Sequence, residues 1–321
     1  MNILITGAAG YIGSVVVEML LQQNHRLFAL DDLRDGKKQA LPEAVDFYQA
    51  DFADQEVLDI IFSKCTIDCV VHLAASANVP DSVANPLGYY KNNLSGTLLL
   101  LEKMKEYGVK KILFSSTAAV YGNPVFSPIT EAHPKVPVNP YGFSKLYTEQ
   151  MLADSMVAYG IEYIIFRYFC AAGATVLNGE SRLKESHLIP LVVDCALGKR
   201  EKLYVYGNNF STPDGTGVRD YIHVADIADA HLKAIQHFDT ACNHILNLGT
   251  GKGYSVLEII QAAEKISGKK IAFDIQDRRP GDPPSLIASY DTAAALIGWK
   301  PSLFLNDIIE SAFNWRKNPL Y

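Results

Sequence analysis

Cysteine is scarce in this chain: five residues in 321, at Cys65, Cys69, Cys170, Cys195 and Cys242. Their odd number and scatter exclude a disulfide framework. Cys65 and Cys69 have neither the spacing nor the second pair of a zinc site, so free thiols and no metal are expected. Long apolar runs are missing as well. Leu98–Leu101 gives way at once to Glu102 and Lys103, far short of a bilayer span, so no membrane partner is expected. Met1-Asn2 runs straight into Ile3-Leu4-Ile5 without the basic start and cleavage site of a secretory signal, which points to the cytoplasm. Nor is basic charge in surplus. The 29 Lys and Arg against 35 Asp and Glu leave a net charge of −6, which excludes broad attraction to nucleic acid. An anionic ligand must instead be held by local cations and helix ends. What the sequence does have is apolar bulk, 49% of its residues, enough for a sizeable core and incompatible with a disordered or collagen-like chain.

That bulk is arranged in two alternating rhythms through the first half. Short apolar runs at Ile3–Thr6, Leu27–Leu30, Asp46–Gln49, Cys69–Leu73, Ile112–Ser115 and Tyr163–Phe166 read as buried strands. Between them Ile12–Gln22, Gln55–Phe62, Leu87–Tyr107 and Phe143–Tyr159 have helical spacing. Strand, helix, strand in this order predicts an α/β fold with a doubly wound parallel, Rossmann-like sheet, its ligands beyond the carboxyl ends of the strands. After Gly173 the alternation breaks at a polar stretch, Leu177–Ser186, while helical segments recur at His187–Leu197, Val224–His237, Val256–Ile266 and Leu305–Trp315. Residues 1–173 are therefore expected to form the cofactor domain, with the chain returning to it around 219–249. Residues 174–218 and 250–321 are expected to form a smaller mixed α/β substrate lobe.

Thr6-Gly7-Ala8-Ala9-Gly10-Tyr11-Ile12-Gly13 closes the first strand and opens the first helix. Glycines there let the backbone turn tightly and approach a pyrophosphate, whose charge is favoured at a helix N-terminus. The spacing is G-x-x-G-x-x-G, and an acidic residue, Asp31, ends the second strand. A carboxylate at that point accepts both ribose hydroxyls and repels a 2′-phosphate, so NAD is preferred to NADP, with Arg34 the one residue that argues the other way. Asp51-Phe52, after the third strand, has the chemistry to bond and cover an adenine.

Tyr141-Gly142-Phe143-Ser144-Lys145 carries the reaction chemistry. At i,i+4 on a helix the phenol and ammonium share one face. A tyrosine ordinarily titrates near 10, and bringing it to neutrality takes roughly three pKa units, about 4 kcal/mol. Lys145 and a positive nicotinamide ring are expected to supply that between them. Upstream, Ser115-Ser116-Thr117 ends the fifth strand, where Thr117 can reach the same crevice, bond a substrate hydroxyl and relay its proton. His223 is read as ordering the start of the helix that follows it, not as catalytic.

At these motifs the chain resembles the extended short-chain dehydrogenase/reductases and, among them, the UDP-galactose 4-epimerases. The resemblance runs from the Gly-rich turn to Trp315 and rests on TGAAGYIGS, VVHLAA, FSSTAAVYG, PYGFSK, RYFCAAGA, DGTGVRDYIHVADIA and RRPGDPP. It implies that Gly7, Gly10, Tyr11, Ile12 and Gly13 cradle the NAD pyrophosphate, that Asp31 and Asp32 hold the adenosine ribose, and that Asp51 and Phe52 hold the adenine. Leu73, Ala74, Ala75, Asn92 and Ser115 would line the rest of the groove, Lys145 would bind the nicotinamide ribose, and Tyr168 and Phe169 would pack near the nicotinamide. For the nucleotide-sugar it implies Thr117, Tyr141, Cys170, His187, Leu188, Tyr204, Val205, Tyr206, Arg219, Arg279 and Asp282. A diphosphate asks for charge-assisted donors, which gives Arg219 and Arg279 a physical reason.

The implied activity is that of a UDP-glucose 4-epimerase working through a transient 4-keto sugar, as a homodimer formed through the helices Leu87–Tyr107 and Phe143–Tyr159. The resemblance has departures. Cys170 replaces an asparagine that contacts the sugar or diphosphate, Ala77 replaces a lysine near the cofactor phosphates, and Leu286 sits at a position that gates N-acetylated sugars. The alternatives are 4-epimerisation of another UDP-sugar (N-acetylhexosamine, pentose or uronic acid) and a non-catalytic NAD-binding regulator. A 4,6-dehydratase is disfavoured because Ala118 and Ala119 follow Thr117, where that chemistry needs an acid/base pair.

Overall fold

The computed structural model describes residues 1–182, 185–279 and 281–321. Positions 183 and 184 of the polar stretch Leu177–Ser186, and 280 of the RRPGDPP segment, lie outside the described residues. In chain order the first half runs β1 (Asn2–Thr6), α1 (Tyr11–Leu21), β2 (Arg26–Asp31), β3 (Asp46–Gln49), α2 (Gln55–Lys64), β4 (Cys69–His72), α3 (Val79–Ala84), α4 (Pro86–Tyr90), α5 (Gly96–Glu106), β5 (Lys111–Thr117), α6 (Pro140–Tyr159), β6 (Glu162–Tyr168) and β7 (Cys170–Ala172). The second half adds α7 (Leu188–Leu197), β8 (Leu203–Tyr206), β9 (Val218–His223), α8 (Val224–Gln236), α9 (Phe238–Ala241), β10 (His244–Leu248), β11 (Gly253–Ser255), α10 (Val256–Ser267), β12 (Phe273–Gln276), β13 (Ser285–Leu286), α11 (Asp291–Ile297) and α12 (Leu305–Lys317).

Seven parallel strands form the main sheet in the order β3-β2-β1-β4-β5-β6-β10. The strands are continuous apolar runs because both faces are covered. On one face Ile3, Ile5, Leu27 and Val71 pack against Val15, Val16 and Leu20 of α1, Ile227 and Ala234 of α8, and the buried Trp299. On the other, Leu4, Phe28, Val70 and Phe114 meet Leu58 and Ile61 of α2, Leu100 and Met104 of α5 and Leu152 of α6. Trp299 satisfies its indole N–H on the Asp226 carbonyl at 2.9 Å. Winding reverses at β1, which sits between β2 and β4, and that reversal opens a crevice at the carboxyl edge of the sheet.

The predicted helix Leu87–Tyr107 is one rod of α4 and α5 joined by a π turn over Lys91–Ser95. The extra residue of a π turn shifts the faces of the helix, as such turns do at functional sites. It lets Asn93 reach inward, its amide bonded to both the Ser76 carbonyl (3.0 Å) and the Ser144 hydroxyl (2.9 Å). Helix α6 starts where Asn139 accepts from Gly142 N at 2.8 Å with Pro140 in its first turn, and stops at left-handed Gly160.

Beyond β7 a second body gathers. β9 pairs with β7, β11 and β13, β8 pairs with β12, and α7, α10 and α12 enclose a core of Ile189, Val192, Val205, Ile259, Ile260 and Ile308. The chain crosses back at α8 and β10, which join the main sheet and its flank.

Candidate active site

Two clefts open side by side at the carboxyl edge of the main sheet, of about 470 and 430 Å³. The first runs over the Gly-rich turn and is lined by Gly7, Gly10, Tyr11, Ile12, Gly13, Asp31, Asp32, Phe52, Leu73, Ala74, Ala75, Asn92, Ser115, Tyr141, Lys145 and Tyr168. Of the predicted cofactor residues, only Asp51 and Phe169 lie off this wall. Asp51 turns its carboxylate to Ala53 N at 2.9 Å, and Phe169 faces the second cleft.

The turn is built for close approach. Gly7 holds φ +70°, where a Cβ would strike Ala74 N at 2.6 Å, and a Cβ on Gly13 would stand 2.0 Å from the Gly7 carbonyl. At Gly10 a Cβ would meet protein only at 3.4 Å, filling open space over the start of α1 instead. The first α1 hydrogen bond from this turn runs from Ser14 N to the Gly10 carbonyl, so the N–H groups of Tyr11 and Ile12 stay available to an anion. Asp31 is buried and accepts from Ala9 N (2.9 Å) and Leu33 N (2.8 Å); burial pushes its carboxyl up while those two bonds pull it down. Arg34 is held by Asp32 at 2.7 Å and lies 3.7 Å from Asp51, so its charge is spent on neighbours and not offered to a 2′-phosphate. This donor set and the open cradle fit NAD.

At the other end of the cleft Tyr141 and Lys145 share a face of α6, but their ammonium and phenol are not a simple pair. Lys145 donates to the Ser115 carbonyl at 2.7 Å and lies 4.8 Å from the Phe114 ring centre. Burial pulls its pKa down to about 7, with Glu149 acting against that. Burial raises the Tyr141 phenol, while a hydrogen bond from Thr117 and the charge of Arg182 lower it. Thr117 Oγ1 accepts from Ala119 N at 3.1 Å, which leaves its own proton free for a further acceptor. Behind this corner Glu149 takes a bidentate bond from Arg167 (3.0 and 2.5 Å) and one from Ser116 (2.5 Å), and Arg167 reaches Tyr121 at 2.9 Å. Tyr168, on the wall of both clefts, meets His231 Nε2 at 2.9 Å. The other His231 nitrogen faces the Ile227 carbonyl, so Tyr168 donates to an unprotonated Nε2.

The second cleft is lined by Thr117, Tyr141, Phe169, Cys170, His187, Leu188 and Tyr221, together with Glu180, Arg182, Ser186 and Trp315. Burial pushes the Cys170 thiol up to about 11, with the charge of nearby Arg219 acting against it. The remaining predicted nucleotide residues sit outside this wall. Val205 points into the lobe core while Tyr204 and Tyr206 face out, as strand alternation requires. Arg279 stacks on Tyr206 at 3.9 Å, and Arg219 bonds the Val218 and Pro283 carbonyls with Asp282 4.0 Å away. His223 accepts from Ala225 N and so caps α8.

Sequence reasoning did not single out Glu180, Arg182, Tyr221 or Asn93. The first two lie in the polar stretch Leu177–Ser186, whose only signal was that it broke the pattern. All five cysteines are free, and no helix among the described residues is long and apolar enough to cross a membrane.

The comparisons agree with this geometry. A UDP-glucose 4-epimerase of Halalkalibacterium halodurans is 47% identical over 321 residues, 99% of this chain and 96% of the relative. One of Lacticaseibacillus casei is 44% identical over 322 residues, 99% and 97% of the two chains. The crystal structure of the UDP-glucose 4-epimerase from Bifidobacterium longum in complex with NAD+ and UDP superposes with a TM-score of 0.95 at 41% identity, covering 99% of each chain. A family model described as the NAD dependent epimerase/dehydratase family matches residues 3–249, and the chain belongs to that family.

Proposed function

We propose that this chain is an NAD-dependent UDP-glucose 4-epimerase that interconverts UDP-glucose and UDP-galactose. The observation that carries the reading is the position of Tyr141 on the wall common to a dinucleotide cleft, which it shares with Lys145, and a second cleft, which it shares with Thr117. We assign residues 1–168 with α8 and β10, covered by α11 and Trp299, to the cofactor body, and the sheet around β9 with α7, α10 and α12 to the sugar-nucleotide lobe.

The nicotinamide, when bound, supplies reversible hydride acceptance. The chain's own residues do the rest. Asp31 receives the ribose hydroxyls, and the start of α1 receives the pyrophosphate. Tyr168, fixed by His231, supports the wall at which the sugar stands. Tyr141 takes the proton of the sugar 4-hydroxyl as C4 is oxidised, with the Thr117 proton directed at the phenol oxygen to stabilise the charged form. The 4-keto sugar turns about its bond to the diphosphate and presents its other face, and Tyr141 returns the proton as C4 is reduced with inverted configuration. Such a cycle needs a firm grip on the nucleotide and a loose one on the sugar. Arg219 and the Arg279–Tyr206 stack are assigned to the nucleotide end, and Cys170, a weak hydrogen-bonding group, suits the loose end.

We further infer a homodimer through α4, α5 and α6, supported by the exposed apolar side chains of Leu87, Leu98, Tyr147 and Val157 on those helices. Incubation with UDP-glucose or UDP-galactose without added NAD, followed by sugar analysis, tests the activity. Tyr141→Phe is expected to lower turnover by about 10²–10⁴-fold with UDP-sugar affinity nearly unchanged. Near-normal turnover in that variant removes the base from the mechanism.

A further inference from the structure

Beneath the first cleft, buried polar side chains run from the Gly-rich turn to helix α6. They are Thr6 at the end of β1, His72 at the end of β4, Asn93 in the π turn, Thr97 in α5 and Ser144 in α6. The direction of each bond is fixed. Thr97 has one hydroxyl proton, and the Asn93 carbonyl accepts it at 2.7 Å. The 2.9 Å contact between His72 and Thr97 therefore has Nε2–H donating to the threonine oxygen. Burial, aided by the charge of Lys145, pulls His72 down to about 3, so its other nitrogen is bare and accepts from the Thr6 hydroxyl at 2.7 Å. Thr6 in turn accepts from Ala74 N at 3.4 Å. The Asn93 amide carries the chain onward. Its Nδ2 donates to Ser144 Oγ at 2.9 Å and to the Ser76 carbonyl at 3.0 Å, while its Oδ1 accepts from Ser76 N and Asn92 Nδ2, both at 2.9 Å. Ser144 then donates to the Tyr141 carbonyl at 2.8 Å. The rings of Phe52 and Phe114 lie 5.1 and 5.8 Å from that of His72 and help close it off from water.

We propose that Thr97 is a positioning residue of the epimerase site: through the chain Thr6–His72–Thr97–Asn93–Ser144 it holds the first turn of α6, and with it Tyr141, in register with the Gly-rich turn. The inference rests on Tyr141 being the base, as argued above. Thr97 lines neither cleft, so it acts on the reaction through other residues. A dinucleotide is seated at its pyrophosphate by the Gly-rich turn and meets Tyr141 at its other end. The reacting atoms come into line when those two ends of the cleft keep a fixed separation, and misplacement by about 1 Å costs up to about 10²-fold in rate. The chain spans that separation, crossing β1, β4, α5 and α6. Its side bonds to Ser76 and Asn92, both on the wall of the first cleft, bring that wall into the same register. Because each hydroxyl both accepts and donates, and each link is buried, every bond supports the next and the chain acts as a unit.

The test compares Thr97→Val, which removes the hydroxyl at nearly constant shape, with Thr97→Ser, which keeps it, both at saturating NAD. In Thr97→Val kcat for UDP-glucose is expected to fall about 10- to 100-fold, with KM within about threefold of wild type. Thr97→Ser is expected to hold kcat within about threefold of wild type. Amide hydrogen exchange over residues 143–148 of α6 is expected to quicken about tenfold in the valine variant and to stay put in the serine one. Ser144→Ala cuts the same chain at its far end, so combining it with Thr97→Val is expected to cost no more than the worse single change. A Thr97→Val kcat within about twofold of wild type, a KM rise as large as the kcat loss, a serine variant as slow as the valine one, unchanged exchange in α6, or losses that multiply in the double variant each overturn the proposal. If Thr97→Val does not fold, Thr6→Val and Ser144→Ala make the same cycle, and unchanged kcat or multiplying losses there overturn it. An inactive wild type would instead defeat the epimerase reading, which separates the two failures.

Discussion

Glu149→Leu is the substitution whose cost the structure specifies most closely. Glu149 is 5% exposed and Arg167 is 0% exposed, and the carboxylate is the only anion bonded to that guanidinium among the described residues. Both its oxygens are used, Oε1 by Arg167 Nε at 3.0 Å and by Ser116 at 2.5 Å, Oε2 by Arg167 Nη2 at 2.5 Å. Removing one partner of such a pair strands the other charge in a low-dielectric interior, at a cost of about 3–5 kcal/mol. For a chain of this size each kcal/mol moves the melting temperature by roughly 1.5 °C, so Glu149→Leu is expected to melt about 4–8 °C below wild type. Adding Arg167→Met removes the stranded charge, and the double variant is expected to recover at least half the loss. Thermal melts and urea midpoints, all with saturating NAD, make a complete cycle. A loss under about 1 kcal/mol, or a double variant no better than the single, refutes the argument that the pair is desolvated. The variant is also expected to lose kcat more than KM, because Glu149 stands one turn beyond Lys145 and Ser116 lies between Ser115 and Thr117.

Two further outcomes follow. Asp31→Asn keeps an acceptor but removes the charge, so NAD affinity is expected to fall about tenfold or more by calorimetry while discrimination against NADP relaxes; unchanged NAD affinity contradicts the assigned ribose contact. Sedimentation is expected to give a mass about twice the 35.3 kDa of the chain, with Leu98→Lys plus Tyr147→Lys shifting it to the monomer; a wild-type monomer at micromolar concentration sinks the dimer.

The cofactor half was legible because its chemistry lies in short runs beside strand ends. Gly7 to Gly13, Asp31, and Ser115 to Thr117 each follow an apolar run that could be read as a strand, and the fold rule then brings those ends to one edge. The rod Leu87–Tyr107 was legible as a helix, but its π turn was not. One inserted residue leaves apolar periodicity almost intact while turning Asn93 inward to Ser76 and Ser144, behind the predicted Asn92 on the cleft wall. The sugar half resisted for a different reason. Arg182 and Glu180 lie in an irregular polar segment, where no period connects position to direction, and Tyr221 reaches the cleft because β9 pairs with β7 across some fifty residues of chain. Arg219 and Arg279 came from the resemblance, with the charge of a diphosphate as their rationale, and such chemistry names residue types without locating them.

The balance of charge along the first cleft explains how a chain of net charge −6 handles an anionic cofactor. Asp31, Asp32, Asp35 and Asp81 line it together with Arg34, Lys145 and Arg182, with the N-terminus of α1 opening at the Gly-rich turn and Arg34 paired with Asp32. A dinucleotide presents neutral ribose hydroxyls at its adenosine end and phosphates in its middle. A carboxylate attracts the first and repels the second, so Asp31 and Asp32 at the end of β2 favour entry of the cofactor in one direction. Charge loss at Asp31 is therefore expected to change which cofactor is held and which way round it enters, because the ribose hydroxyls lose their acceptor while a 2′-phosphate loses its repulsion.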